Sequence, residues 1–452
     1  METALMIPTD YDLKLNDQQL AALVAMKNCA LSKDQPKVFI LNGAAGTGKT
    51  TILKTFSEIL EKEKMDYRLL APTGRAAKVL AKSTGKETST LHSFVYVIEE
   101  LEIDGKMKFK FIPRENKLTK PCIFIVDEAS MVSDLPADNE NFISDRSLLN
   151  DLLIFLHKSP EGSKILFVGD HYQLPPVNEN VSVALSPDSL STKYGIEAQA
   201  YYLTKVLRQN LDSYIYRNAQ ILRSLMDKGG MYAPKMTFKN MFRPDLAVQQ
   251  FCKHFDLEDP SKTIYLGWKN VTVAKLNRAI RKNIFKNSSE ILNENEQIVL
   301  HRTHYNQYYL PTGETGKVLS FKLDSLENIE GCKFGEAVFQ FEMPSGEKIE
   351  ITRKFDLDFL LSDKNEESLE QNKKLWAHRK KNNQAFRDSD NPADDPYLSA
   401  LKIKYGYAIT THKAQGGEWD NVFLYPEYPF DENRLRWIYT SVTRAKNQLF
   451  SF

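Results

Sequence analysis

At 452 residues the chain exceeds one ordinary hydrophobic core, and 60 Lys plus Arg against 59 Asp plus Glu leave a net charge of +1, so no global basic field advertises a polyanion. Four cysteines, Cys29, Cys122, Cys252 and Cys332, stand far apart without a C-x-x-C pair, which argues against a zinc site and a disulfide framework. With no leader pattern and no apolar run near the roughly 20 residues that span a bilayer, the chain is expected to be cytoplasmic, with no membrane partner.

Residues 37–60, KVFILNGAAGTGKTTILKTFSEIL, read as an apolar strand, a Gly-rich turn and a helix with apolar residues at helical spacing. Residues 43–50 have the form G-x-x-x-x-G-K-T. Gly43, Gly46 and Gly48 let the backbone curl, so that N–H groups from Gly43, Ala44, Ala45, Gly46, Thr47 and Gly48 through Thr51 converge on phosphate oxygens. Lys49 then reaches the β- and γ-phosphates, and the Thr50 hydroxyl ligates Mg²⁺. The pattern predicts ATP and Mg²⁺ as cofactors.

Residues 68–85 repeat the strand, turn and helix order, with Pro-Thr-Gly at the turn. Between 94 and 121, Asp104-Gly105 sits among alternating apolar residues and predicts a hairpin with a type I′ turn. CIFIVDEAS (122–130) is a buried-type strand ending in two acids. Beside a P-loop, Asp127 is placed to hold the metal and Glu128 to orient the attacking water. The next strand, KILFVGDHYQLPPV (164–177), carries Gln173, either a sensor of the γ-phosphate or an ordinary loop Gln before a Pro-Pro turn. Strand, turn and helix thus recur from Val38 to Val177, which predicts an α/β fold with a mostly parallel sheet.

From 201 the pattern begins again. YYLTKVLRQN carries Arg208, and 263–284 read as a strand and a helix with Val273, Leu276 and Ile280 on one face. From 298 to 395, short strands with Gly- and Pro-containing turns suggest a small β-barrel. Trp376 lies there among Lys373, Lys374, Arg379, Lys380 and Lys381, either clamping a single strand or resting a solvated helix on the barrel. YAITTHKAQGGEWDNV (407–422) places polar, Gly-broken chemistry between two strand-like runs.

The ordered set of motifs resembles superfamily 1 helicases, specifically the RecD-like and Dda-like group that moves 5′ to 3′ on single-stranded DNA. LNDQQLAAL resembles the adenine-reading Q motif, with Gln19 as reader. GAAGTGKT, APTGRAAK, STLHSF, VDEAS and GDHYQLPPV are similar to motifs I, Ia, Ib, II and III. LTKVLRQ, THKAQGGEWD and YTSVTRAK are similar to motifs IV, V and VI.

The resemblance implies two RecA-like P-loop NTPase domains in tandem. The first would cover 1–200, with a hairpin insertion at about 94–121; the second would cover 201–297 and 396–452, interrupted by a Src-homology-3-like barrel at 298–395. It makes Arg208 and Arg444 arginine fingers and turns Gln415, Gly416 and Glu418 toward the nucleotide, with Gln415 coupling the two sites. Pro72, Thr73, Arg75, Thr90, His92 and Ser93 would line the DNA path in the first domain, and Thr411, His412 and Lys413 in the second. The hairpin would be a strand-separating pin tipped by Phe109 or Phe111, or else a structural arm. The implied activity is an ATP-dependent DNA helicase, monomeric in its core activity, with single-stranded and duplex DNA as partners. An RNA-directed helicase of the same superfamily and a protein-remodelling ATPase stay open as alternatives.

Overall fold

The computed structural model describes residues 15–32, 34–103, 106–138, 142–206, 213–230, 232, 236–241, 243–285, 291–305, 308–343, 346–363 and 369–451. Two compact units divide the chain, Met1–Tyr216 and Arg217–Phe452. Among the described residues no helix is long and apolar enough to cross a membrane.

In chain order the first unit supplies β1 (Val38–Gly43), β2 (Asp66–Ala71), β3 (Thr88–Thr90), β4 (Tyr96–Ile103), β5 (Lys106–Pro113), β6 (Cys122–Val126), β7 (Pro136–Asp138), β8 (Phe142–Ser147), β9 (Lys164–Gly169) and β10 (Ala198–Leu203). Six of these form a parallel sheet in the order β10-β1-β9-β6-β2-β3. β1, β6 and β9 are buried along their whole length, as continuous apolar runs in a sheet covered on both faces must be. Alternation splits their side chains between two cores. Val38, Ile40, Phe124, Val126 and Phe167 face the helix Leu148–His157, whereas Phe39, Leu41, Ile123, Ile125 and Leu166 face the helices Asp17–Leu31 and Lys49–Lys62.

β4 and β5 pair antiparallel from Tyr96↔Pro113 to Ile103↔Lys106. Residues 104 and 105, where the turn signal falls, lie outside the described residues. β8 extends this pair through Phe109↔Phe142, and Tyr96 anchors it by donating its hydroxyl to Asp151 at 2.9 Å.

The second half was expected to begin at 201. Instead β10 pairs with β1 through Tyr201↔Leu41 and Leu203↔Gly43, so residues 201–203 complete the first sheet. The apolar run that looked like a fresh start is an edge strand recruited by the exposed side of β1.

The second unit contributes β11 (Thr263–Gly267), β12 (Gln297–Leu300), β13 (His304–Tyr305), β14 (Tyr309–Leu310), β15 (Thr315–Phe321), β16 (Glu327–Ile329), β17 (Cys332–Glu342), β18 (Lys348–Asp356), β19 (Ile403–Tyr405), β20 (Ala408–Thr410), β21 (Trp419–Leu424) and β22 (Ala445–Phe450). A parallel sheet runs β20-β11-β21-β22, and an antiparallel one runs β16-β17-β15-β12-β19 with β18 on β17. Since β12 pairs with β19, the antiparallel sheet reaches past both expected limits, 298 and 395. One core serves both sheets: Tyr265 and Phe423 of the parallel sheet pack in the same cluster as Ile298, Phe339 and Phe355 of the other. The helix Asn270–Ile284 ties into both. Asn277 exchanges hydrogen bonds with the Ala408 backbone at 2.8 and 2.9 Å, and Arg281 forms a buried ion pair with Glu296. Arg281→Met leaves that carboxylate buried without its partner, so a loss of about 3–5 kcal/mol is expected in a urea titration.

Trp376 lies in the helix Leu369–Asn382, edge-on to Phe386 at 5.3 Å, while Leu375 of the same helix is buried with Phe334. Packing thus accounts for the apolar side of this helix, and Lys373, Lys374, Lys380 and Lys381 are exposed.

Candidate nucleotide and strand sites

β1 ends in the P-loop. Gly48, at φ 82°, starts the helix Lys49–Lys62 from the left-handed region, where an L side chain would be strained. Gly43 is required by close approach, because a Cβ there would meet Thr47 Oγ1 at 2.6 Å. Lys49 Nζ donates to the Gly43 carbonyl at 2.7 Å and the Ala44 carbonyl at 3.3 Å, which holds the ammonium inside the loop. Gln19 is buried and caps its own helix with Asn16, and its Nε2 donates to the Thr47 carbonyl at 3.1 Å. The Q-motif residue and the P-loop are therefore in direct contact.

β6 lies two strands from β1 and ends at Asp127 and Glu128. Burial raises the Asp127 carboxyl above the ordinary carboxylate range, the adjacent Glu128 raises it further, and Lys49 pulls it back. Glu128 adopts φ 50°, a left-handed conformation costing a non-glycine residue about 1–2 kcal/mol, and its Oε2 is buried with no hydrogen-bond partner. Among the described residues no group of three His, Cys, Asp or Glu is arranged to hold a metal. The donors present, the Thr50 hydroxyl and the Asp127 carboxylate, suit Mg²⁺, which takes one or two protein ligands together with substrate phosphates.

Between these strands β9 ends at Gly169, and Gln173 beyond it is buried. Asp170, fully buried, accepts from the P-loop N–H of Ala45 at 3.0 Å and from the Tyr172 N–H at 3.1 Å. That carboxylate fastens the Gln173 loop to the phosphate cradle, a role the sequence analysis did not assign. The available signal was the Gly-Asp pair at the strand end. Gln18 was missed as well: its side chain bonds the Tyr202 carbonyl, the Thr204 hydroxyl and the N–H groups of Thr204 and Lys205, fixing the segment that leads to Arg208. Arg208 itself lies outside the described residues.

The candidate strand contacts of the first unit converge on neighbouring strands. β2 and β3 pair through Ala71↔Thr90, so Pro72 and Thr73 stand next to Thr90, His92 and Ser93. Thr73 caps the helix Gly74–Thr84, which carries Arg75, and Thr90 caps Leu91–Val95 through the Ser93 N–H. His92 is exposed, with its ring 5.1 Å from Phe111. Phe111 in turn stacks on Phe142, and Phe109 also packs on Phe142, so both residues considered for the pin are half-buried. On β4, Val97 and Ile98 are each 41% exposed and present the apolar surface that Phe109 and Phe111 do not.

In the second unit β20 leads directly into Thr411–Ala414. Thr411 is fully buried and its hydroxyl meets Ser441 Oγ at 2.9 Å, so it tethers the segment to the helix Arg434–Val442 instead of facing a strand. His412 and Lys413 are half-buried. The chain then turns at Gly416 (φ 74°), Glu418 follows half-buried, and Trp419 packs into β21 as a buried anchor. Arg444 holds this turn: its Nη1 donates to the Gly417 carbonyl and its Nε to the Thr440 carbonyl, both at 3.0 Å. Gln415 is buried beside the turn.

Residues 14–226 match the family described as an AAA domain, and residues 405–450 match the UvrD-like helicase C-terminal domain. The chain is 25% identical to the ATP-dependent DNA helicase dda of Enterobacteria phage T4, over 92% of this chain and 95% of that one. It is 24% identical to the RecBCD enzyme subunit RecD of Buchnera aphidicola, over 96% of this chain and 72% of the relative. The crystal structure of Pif1 helicase from Candida albicans aligns over 97% of this chain and 94% of its own, with a TM-score of 0.53 and 17% identity, a likeness of fold.

Proposed function

We infer that this chain, which belongs to the superfamily 1 DNA helicases of the RecD, Pif1 and Dda type, is an ATP-hydrolysing motor that travels 5′ to 3′ along single-stranded DNA and parts duplex strands ahead of it. One observation carries the reading. A single sheet edge in the first unit holds the P-loop, Asp127 and Gln173 at the ends of β1, β6 and β9, and the Thr73 and Thr90 segments at the ends of β2 and β3. A parallel sheet presents its ligands at this carboxyl edge. Phosphate hydrolysis and strand contact thus share one rigid element, as a motor requires.

In the proposed cycle the P-loop holds the triphosphate, Gln19 reads the base and Glu128 orients water against the γ-phosphate. Bound Mg²⁺ would neutralise charge between the phosphates, held through Thr50 and Asp127. Arg208 and Arg444 would grip the same triphosphate as arginine fingers, so that hydrolysis releases their hold. Glu418 and Gly416 would approach the nucleotide, and the paired strands β4 and β5 would split the duplex, with Val97 and Ile98 as the exposed apolar candidates beside Phe109 and Phe111. We propose a Src-homology-3-like role for the antiparallel sheet, a monomer as the working form, and DNA replication, repair or recombination as the setting.

ATP hydrolysis measured with single-stranded DNA, with single-stranded RNA and without nucleic acid tests this reading. Stimulation by DNA supports it. Equal or greater stimulation by RNA favours the RNA-directed alternative, and rates indifferent to both favour a protein remodeller. Duplexes with 5′ or 3′ tails test polarity, and preferential unwinding from a 3′ tail overturns the proposed direction. Gln415→Ala is expected to lower base pairs unwound per ATP several-fold with ATP and DNA affinities each within about twofold of wild type. An unchanged ratio of unwinding to hydrolysis removes the coupling role.

A further inference from the structure

A cavity of about 110 Å³ lies within the second unit, between the helix Asn270–Ile284, β19 and the loop after the short helix Leu357–Leu361. Val273 and Leu360 form part of an apolar wall, and its charged lining is predominantly basic. Two of those cations are answered by carboxylates: Arg281 by Glu296 and Arg278 by Asp363. Lys404 donates to the carbonyl oxygens of Phe359 and Ser362.

Lys413 is different. It forms no ion pair among the described residues, and its hydrogen-bonding neighbour is the His301 imidazole, with ring nitrogens 2.9 and 3.2 Å from Nζ. Burial brings Lys413 down to about 8, with Lys404 adding to the effect, and burial likewise brings Lys404 to about 8. His301 is pushed well below its ordinary value by burial and then by Lys413, Lys404 and Arg302, so it meets Lys413 as a neutral base. Asp363 and Asp356 offset part of the charge on Lys404, whereas Lys413 feels the repulsion of Lys404, and a half-buried ammonium so placed costs free energy unless an anion joins it. Lys413 also follows Thr411 and His412, the segment read as a strand contact.

We propose that a phosphodiester group of the bound single strand enters this cavity and is held by Lys413 and Lys404, with His301 as a positioning residue that aims Lys413. The proposal rests on the single-strand motor reading. Lys404 and His301 come from the antiparallel sheet and its margin, outside every motif that carries the family resemblance, so the sheet that interrupts the second unit would supply half of a strand-binding site. The apolar wall suits the sugar or base next to that phosphate, which a site for free phosphate would not need.

The test uses the full chain and an oligothymidylate in which one neutral methylphosphonate linkage is walked along the strand. Lys404→Gln keeps an N–H donor for the Phe359 and Ser362 carbonyls while removing the charge. It is expected to weaken strand binding about 5- to 10-fold at 0.1 M salt and to flatten the plot of log affinity against log salt by about 0.7, one phosphate contact. One linkage position is expected to cost wild type a similar factor and to cost Lys404→Gln almost nothing. His301→Asn is expected to shrink the penalty at that same position, which a general loss of stability does not do. Melting curves establish that the variants are folded. If Lys404→Gln does not fold, His301→Asn and the wild-type walk decide alone.

An unchanged salt slope with an unchanged linkage penalty overturns the cavity while leaving the motor reading intact. Stabilisation of wild type by inorganic phosphate that Lys404→Gln abolishes, with strand binding unaltered, assigns the cavity to a free anion and also overturns it. A wild-type chain that binds no single strand overturns both.

Discussion

Lys49→Ala is expected to lower DNA-stimulated ATP hydrolysis by at least about 1,000-fold, equivalent to about 4 kcal/mol of transition-state stabilisation, while leaving much of the single-strand affinity in place. The ammonium sits in the P-loop on the Gly43 and Ala44 carbonyls, inside the loop proposed to cradle the triphosphate. Alanine removes the charge that follows the γ-phosphoryl oxygens as bonding to the leaving group loosens. A second consequence falls on the acids. Lys49 partly offsets the burial of Asp127 and its repulsion by Glu128, so its loss leaves that carboxyl harder to ionise and a poorer partner for a cation. The proposed strand contacts are built on other elements: Thr73 and Thr90 cap the helices that follow β2 and β3, the latter through the Ser93 N–H, whereas Lys49 opens the helix after β1. Phosphate release and fluorescence anisotropy measured on one preparation separate the two effects. Retained DNA-stimulated hydrolysis in Lys49→Ala would sink the assignment of the P-loop.

What could be read from the sequence was chemistry contained in a few consecutive residues. G-x-x-x-x-G-K-T and a strand ending in Asp-Glu state their function locally, because a phosphate cradle needs those residue types in that order. β1, β6 and β9 were legible for a similar reason, since burial on both faces leaves unbroken apolar runs. Contacts made across the fold were not legible. Asp170 meets Ala45 across 125 positions, and His301 meets Lys413 across 112, and neither pair has a spacing that a linear reading tests. Thr411 shows the limit from the other side. Its motif suggested a hydroxyl offered to DNA, but the helix Arg434–Val442 brings Ser441 against it, and a buried hydroxyl takes the partner within reach. β10 misled in the same way. An apolar run states that it will be a strand without stating which sheet edge it joins, and here that choice moved a domain boundary.

Arg444 gives the second large effect, and its surroundings allow a structural contribution to be separated from a chemical one. Its guanidinium spends three N–H donors, on Thr440, Gly417 and Thr443, which leaves two of the five that an arginine carries. Those bonds brace the turn at Gly416, where Arg444 is buried, and the finger role proposed for it would fall to the remaining two N–H groups. Arg444→Ala removes the brace and, with it, the proposed finger: leaving buried carbonyls unpaired costs about 1–3 kcal/mol for each group, and an arginine finger would be worth about 1,000-fold or more in turnover. Arg444→Lys divides them. A lysine ammonium reaches the Gly417 or Thr440 carbonyl and preserves the charge, but it lacks the planar fork that would brace the turn and bind phosphate at once. The expected result is a melting temperature for Arg444→Lys close to wild type, with DNA-stimulated turnover still reduced by about 100-fold or more and a smaller change in KM for ATP. Turnover recovering in step with stability would make Arg444 a brace for the turn and nothing more.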